Sequence, residues 1–456
     1  MKHIIPANYI ANWVANLQYE EIPASVMTLA RLCIIDVAGV MVAGTQTDIS
    51  KLIAEYVRSR RGRPLATAVG WGFKGEPTEV ALLNGVSGHA LDFDDTNYSL
   101  IGHSSAVIFP AVLAAGEEAK ASGREVLEAF VVGTEVACKL GQAFNPNLFD
   151  LGWFTTASLG VFGAAIGCAR LWRLPAPEIQ TAMSIAGGMA GGLRVNNGTM
   201  AKPYQAGHAS RAGLEAAMLA RSGVQGVADV FESTDGYIDV HARGKANFSP
   251  LLTLGQPFDM VDPGILFKRY PACSGAGAAV DALLAILDEN KIDTSRIESI
   301  ECEATDLVGR SMPYRNPQTY REAQFSLPYC LAAAWVFGKV DLATFTEEAL
   351  RDARVQIALE HVDTLFDLPD PTGRSEAAVV TVRLRGGHIF RKRCESAAGS
   401  PENPLTPEQL YDKFRYCASG RLRPTEIEET LEVLKHIDEY DLAQVIECLT
   451  GEEDKE

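Results

Sequence analysis

The sequence predicts a mainly α protein: a large all-helical domain, then a smaller α+β domain that starts near residue 265, then a return to helix near residue 400. Three observations carry this. From Ile22 to about Gly264 apolar residues recur at three-to-four spacing. After Pro263 an alternating run and a hairpin signal interrupt that spacing. Beyond SPENPLTPEQL the helical spacing resumes. With 456 residues, the chain also exceeds the roughly 250 to 300 residues at which single cores stop growing, so the expected division is 1–264, 265–399 and 400–456.

In chain order, SVMTLARLCIIDVAGVMVAG has Pro23 and Ser25 as a helix start and Gly44 as a stop. Glu79 to Ala90 reads as helix and runs into the acidic string DFDDT. His103 then sits in GHSSAVIFPAVLAAGE, expected on an exposed turn before an alanine-rich helix. In TASLGVFGAAIGCARLW, Gly160, Gly163 and Gly167 let helices approach closely, as tight bundle packing requires. The stretch GGMAGGLRVNNGTMAKPYQAGHASRAG reads as a polar, glycine-rich loop with a helix from about Ala209. Past the boundary, Ala278 to Leu287 predicts a helix and ESIECEATDLVG a strand. Glu322 to Val336 reads as one helix, and EAAVVTVRLRGGHIFRKRCES as two strands about Gly386-Gly387. Pro407 to Phe414 and Thr425 to Leu449 return to helix, ahead of a frayed acidic tail, GEEDKE.

Composition excludes several classes. Hydrophobic residues at 47% and charged residues at 22% are ordinary for a compact soluble protein, so neither disorder nor a fibre is indicated. A net charge of −17 with no basic cluster argues against nucleic acid as a partner. Nine cysteines without a CxxC pair suit a reducing compartment. The N-terminus carries no signal-peptide apolar stretch, and the longest apolar segment, Cys33 to Gly44, contains Asp36 and is short for a membrane span. The expected location is cytoplasmic, with no membrane partner.

Asp92, Asp94 and Asp95 crowd into four positions. Mutual repulsion raises some pKa values in such a cluster, which suits acid–base work or a metal; an acidic helix end is the plain alternative. As a bare string DFDD also matches the DxDD acid of class II terpene cyclases, with Asp94 as the proton donor, but 8% aromatic residues and no aromatic repeat nearby weigh against it. His103, eleven residues after Asp92, is the side chain best suited to exchange protons near neutrality. Arg194 and Lys202 lie in the glycine-rich loop, where an arginine can grip a carboxylate with two parallel hydrogen bonds. Neither GxxxxGK[ST] nor GxGxxG occurs there, so it is not a phosphate loop. FKRYPACSGAG places Lys268, Arg269 and Cys273 at the expected domain boundary, where clefts commonly lie. A thiol beside cations can act as acid or base, although most lone cysteines are simply buried.

In order, NGVSGHALDFDDT (84–96), HSSAVIFPA (103–111), GTMAKPYQAGHASRAG (198–213), FKRYPAC (267–273) and NPQTYREAQFSLPYC (316–330) resemble the MmgE/PrpD family, and the resemblance spans nearly the whole chain. It implies a large helical domain made from the N-terminal portion and the C-terminal tail, an α+β lid, a site in the cleft between them, a homodimer, and no organic cofactor; no metal is expected either. Its members include 2-methylcitrate dehydratase, cis-aconitate decarboxylase and iminodisuccinate epimerase. Carried over residue by residue, Asp92 and His103 are the acid–base candidates, with Cys273 and Tyr314 as further catalytic candidates. Thr96, Lys202 and Lys268 shape the pocket, and the cations hold carboxylates.

The departures from the family pattern are equally informative. Phe154 stands in a GWHPT-like stretch where many members have histidine, and Gln205 stands for histidine in a KPLH-like stretch. Cys273 occupies the position of the decarboxylase branch's histidine, and Gly277 that of other branches. Decarboxylation of cis-aconitate is therefore not expected, and Arg194 is expected to add a carboxylate clamp. The resulting expectation is a cofactor-independent lyase that removes a proton next to a carboxylate of a small polycarboxylic acid, as a dehydratase does. The alternatives are an epimerase or isomerase using the same site, and a carboxylate-binding protein that has lost its chemistry.

Overall fold

The structure is a computed structural model that describes residues 5–372 and 375–451; the expected acidic tail lies, from residue 452, outside the described residues, as do residues 1–4. The three-to-four spacing becomes the helices Ala24–Gly44, Pro77–His89, Ser105–Ala119, Gly123–Phe144, Gly160–Leu171 and Ala201–Arg221. Ser122 caps the fourth by accepting from the Glu125 amide while Glu125 reaches back, so two otherwise orphaned amides are satisfied. The expected close packing is real: a Cβ on Gly133 would come within 2.5 Å of the Gly163 carbonyl oxygen of the neighbouring helix. One apolar core draws on residues from Ala7 to Phe267 and from Leu410 to Leu449. A second runs from Tyr270 to Ala397.

Ala24–Gly44 is long and apolar enough to cross a membrane, so the apolar stretch is longer than the twelve residues read from the sequence. It is instead the central helix of the first core, with most of its length buried. Its one acid, Asp36, pairs at 2.7 Å with Lys413 of the helix Pro407–Ala418. The C-terminal segment is thus pinned against the earliest long helix by a buried charge pair.

The α+β part is built on a four-stranded sheet. Its strands follow two short antiparallel pairs earlier in the chain, the hairpin of β1 (Ala66–Ala68) with β2 (Phe73–Gly75) and the long-range pair of β3 (Thr96–Asn97) with β4 (Ile265–Leu266). β5 (Ile297–Ala304), β6 (Val362–Leu365), β7 (Ala378–Leu384) and β8 (Ile389–Cys394) lie in the order β6-β5-β7-β8. β5 and β6 run parallel; β7 is antiparallel to β5 and to β8, with the predicted turn at Gly386 and Gly387, both at positive φ. The helix Gly277–Glu289 packs against this sheet.

Several expectations need correction. The span read as purely helical contains the β1–β2 hairpin, turned at Gly70 and Gly72. Glu322 to Val336 is two helices, Tyr320–Ala323 and Leu327–Phe337, because Pro328 lacks an N–H and belongs in a first turn, where Ser326 supplies the cap. Thr425 to Leu449 divides into Pro424–Lys435 and Leu442–Leu449, the second opened by a capping box from Asp441 and Gln444. The helix expected from Ala209 begins at Ala201, so Lys202 sits in its first turn rather than in a loop.

Candidate active site

Two backbone approaches build the site. Pro77–His89 and Ala201–Arg221 touch so closely that a Cβ on Gly207 would stand 2.4 Å from the Leu82 carbonyl oxygen, and one on Gly85 2.8 Å from the Gly207 Cα. This brings His89 and Asp92, at the end of the first helix, beside Lys202 at the start of the second. The β3–β4 pair, with Thr96 opposite Leu266, then lays the acidic loop along the segment that carries Lys268. Asp92 itself turns the chain with φ +48°, a left-handed conformation that aspartate tolerates better than most residues, at a cost of about 1 kcal/mol.

The side chains interlock around Asp92. Lys202 Nζ lies 2.6 Å from Asp92 Oδ1, and Lys268 Nζ lies 3.1 Å from Oδ2 and 2.8 Å from the Asp92 carbonyl oxygen. Burial alone would raise the Asp92 carboxyl, but these two ammoniums hold it well below the usual carboxylate range. Burial works against Lys268 as well, yet Asp92 and Asp94 keep its pKa raised. Lys413 Nζ supports both chain segments from behind, donating to the carbonyls of Phe93 at 2.7 Å and Lys268 at 2.9 Å.

Asp94 faces two imidazoles. His89 Nδ1 is 2.9 Å from Asp94 Oδ2 and His103 Nδ1 is 3.0 Å from the same oxygen, the latter poorly aligned for a hydrogen bond. Burial would raise Asp94, but these imidazole edges hold it well below the usual range. A carboxylate at Nδ1 selects the tautomer that carries hydrogen there and leaves Nε2 as a lone pair. His89 Nε2 accordingly accepts from Lys202 Nζ at 2.6 Å. His103 Nε2 stands 3.7 Å from Asp92 Oδ1, free to take a proton and then to pair with that carboxylate. Burial, reinforced by Lys268 and His89, pushes the His103 imidazole down to about 3 against the pull of Asp94, so it is neutral at ordinary pH. The expected exposed turn is wrong in this respect: His103 is buried, because Gly102 packs against Thr156, whose hydroxyl accepts from the His103 amide at 3.1 Å.

Asp92, Thr96, His103, Arg194, Lys202, Lys268 and Cys273 line one cavity of about 750 Å³, including its mouth, between residues of the two cores. Arg194 is half-buried, with its guanidinium 4.1 Å from the Phe149 ring, and among the described residues no acid lies within ion-pair distance of it. Cys273 has its thiol pushed up to about 12, by burial and then by Asp92, so it stays protonated. Tyr314 does not line this cavity: its hydroxyl donates to the Asn197 carbonyl at 2.8 Å, and its ring packs on Gly198, closing the Arg194 loop against the α+β part. Phe154 and Phe325 flank Lys202, with ring centres 5.4 and 5.1 Å from Nζ. Gln205 accepts from the Leu193 amide at 2.7 Å and from Asn196, fixing the Arg194 loop.

His89 was missed by sequence reasoning, although it stands within NGVSGHALDFDDT three residues before Asp92; its place in a helix hid its role. His89, Asp92, Asp94 and His103 offer ligand atoms within 4.8 Å of one another, spacing that a metal ion could use. Lys202 Nζ, however, already sits 2.6 Å from both His89 Nε2 and Asp92 Oδ1, so a fixed ammonium holds the position that an ion would take. Among the described residues the charge at the centre is balanced by lysine and aspartate alone.

The chain matches the MmgE/PrpD N-terminal domain over residues 8–249 and the MmgE/PrpD C-terminal domain over residues 270–439. It is 27% identical to a cis-aconitate decarboxylase of Mus musculus, over 96% of this chain and 91% of that protein. It is 25% identical to a cis-aconitate decarboxylase of Aspergillus terreus, over 96% and 95%. It is 24% identical to a 2-methylcitrate dehydratase of Salmonella typhimurium, over 84% and 83%.

Proposed function

The chain belongs to the MmgE/PrpD family, and from that premise we propose that it is a lyase that removes a proton next to a carboxylate of a small polycarboxylic acid and expels a hydroxyl from the adjacent carbon. One observation carries the reading: a neutral imidazole, His103, with its Nε2 lone pair beside a carboxylate that is itself held between two buried ammoniums. Proton loss next to a carboxylate places charge on its oxygens, and fixed cations in a water-poor cleft stabilise that charge far better than solvent does. Lys202 and Lys268 supply such cations. Arg194, without an acid partner among the described residues, supports a role in gripping a second carboxylate.

In this reading His103 Nε2 takes the proton. The imidazolium then forms beside Asp92 and Asp94, which stabilise it. Asp92 positions both lysines. Relatives named as decarboxylases and as a dehydratase are both similar to this chain. Cys273, standing where the decarboxylase branch has histidine, favours dehydration: its thiol is held near 12 and stays protonated, so it is no base for that reaction. The same protonated thiol, placed in the cavity, is the one feature that favours epimerisation as a second reading. The nine free cysteines support a cytoplasmic enzyme.

Proton NMR in deuterium oxide tests the reading with citrate, 2-methylcitrate, cis-aconitate and aspartate-derived diacids, beside His103→Ala. New alkene signals that vanish in the variant are the expected result. Deuterium entry without alkene would favour the epimerase, and no change in any substrate would remove the proposal's basis.

A further inference from the structure

The α+β part brings into the cavity an acid that the mechanism above leaves unused. Glu376 lies just before β7 and lines the same cavity as Asp92, His103 and Lys268. Its Oε1 accepts from Ser274 Oγ at 2.5 Å, while Oε2 is shut off from solvent with no hydrogen-bond partner among the described residues. A buried carboxyl oxygen left unpaired costs on the order of 1 to 3 kcal/mol, so a fold that retains one in a cavity leaves it for something the cavity binds. Ser274 follows Cys273 directly, which holds Glu376 near the wall where Lys268 stands. Burial raises the Glu376 carboxyl, with Ser274 and Lys268 acting in the opposite direction. The net shift is upward, in the direction of the form that can donate.

The placement is complementary to the base. Asp92 and His103 belong to the helical part, whereas Glu376 and Ser274 belong to the α+β part. An elimination needs both: one group to take hydrogen from a carbon, and another to make the neighbouring hydroxyl a better leaving group.

We propose that Glu376 is the general acid that protonates the departing hydroxyl, an assignment that rests on the dehydratase reading given above. His103 Nε2 takes the proton from carbon and the C–H electron pair becomes the new π bond. The C–O bond breaks with its pair on oxygen, and the Glu376 proton turns that oxygen into water. Glu376 is left as a carboxylate and is reprotonated from solvent, which also receives the proton held by His103. Ser274 is a positioning residue that keeps one carboxyl oxygen engaged and the other turned to substrate.

The test compares two leaving groups, because fluoride departs without needing a proton and hydroxide does not. The full-length enzyme is given 2-methylcitrate and its analogue with fluorine in place of the departing hydroxyl, with alkene formation and fluoride release as readouts. Glu376→Gln is expected to slow water loss ~100-fold or more while fluoride loss stays within about threefold of wild type. Glu376→Asp should recover part of the first rate. Equal losses for both leaving groups, or no loss for either, would overturn the assignment. Should the glutamine variant fail to fold by circular dichroism, Ser274→Ala is read in the same way, with the same selective loss expected and an unselective result overturning it. A wild type that releases neither water nor fluoride would instead remove the dehydratase reading and the assignment with it.

Discussion

Replacing Asp92 by Asn keeps the shape of the side chain and takes one charge from between two buried ammoniums. Lys202 is 4% exposed and Lys268 3%, and their nitrogens lie 2.6 and 3.1 Å from the carboxylate oxygens. At an effective dielectric constant near 20 each contact is worth ~5 to 6 kcal/mol of attraction, most of which offsets the desolvation of three charges. Removing one partner leaves a net cost of about 3 to 5 kcal/mol. A stranded lysine has one escape, which is to shed its proton at pH 7 for about 5 kcal/mol, and this caps the effect. With about 4 kcal/mol and an unfolding entropy of roughly 0.6 kcal/mol/K for a cooperative unit of about 300 residues, Tm falls by about 6 °C.

Calorimetry of wild type and Asp92→Asn at pH 7 measures that fall, and the pH dependence tests its cause. In the variant the folded lysines bind fewer protons than the unfolded ones, so stability rises with pH. The gap to wild type should narrow between pH 7 and 9 by about 1.4 kcal/mol per unit while one lysine is neutral. Citrate should restore more Tm to the variant than it adds to wild type, because its carboxylates replace the missing charge. A Tm within a degree of wild type at pH 7, with no pH trend, would refute the buried-charge account.

Arg194→Ala should raise KM for a polycarboxylate ~10-fold or more with kcat little changed, as expected for loss of a grip made equally in ground and transition states; a fall in kcat alone would place Arg194 in the chemistry instead. His103 has its pKa lowered from 6.5 to about 3. Its contribution to stability is therefore fully present above pH 6.5 and is lost as pH falls toward 3. Urea melts should show a shallower acid loss in His103→Asn between pH 6 and 4, and an unchanged slope would contradict the buried neutral imidazole. Lys413→Met strands Asp36 and the carbonyls of Phe93 and Lys268, which should cost about 3 to 5 kcal/mol by denaturant melts. Asp36→Asn in the same chain should return part of that loss, and purely additive effects would deny the pairing.

Helices were legible where a long apolar pattern met start and stop residues, as at Ala24–Gly44 after Pro23, and in outline at Pro77–His89, read as Glu79 to Ala90. The β7–β8 hairpin was legible because the alternation on both sides frames Gly386 and Gly387. The missed features are short or context-bound. β1 and β2 have three residues each, too few for alternation to register. The break at Gln324 to Ser326 was read through as helix, although Ser326 and Pro328 mark it. That break matters, since the Gln324 carbonyl accepts from the Cys273 amide and its side chain donates to the Leu91 carbonyl, tying the Cys273 segment to the approach to Asp92.

Of the site, the sequence by itself determined the residue types: three clustered aspartates, His103, two loop or boundary lysines and Arg194, in a chain too acidic to bind polyanions in general. These are the groups that proton transfer beside a carboxylate requires, and local pattern suffices to point to them. Only the tertiary structure decided their division of labour. It separated Asp92, which holds the lysines, from Asp94, which holds the imidazoles, and from Asp95, which accepts from Ser105 behind the site and is pushed up to about 7, first by burial and then by Asp36. It also added His89 and Glu376, which no local pattern had marked. The physical reason is that a carboxylate's role follows from its distance to other charges and from its desolvation. Both are set by elements far apart in the chain, such as two helices meeting at Gly85 and Gly207, and neither is encoded in the spacing of DFDDT.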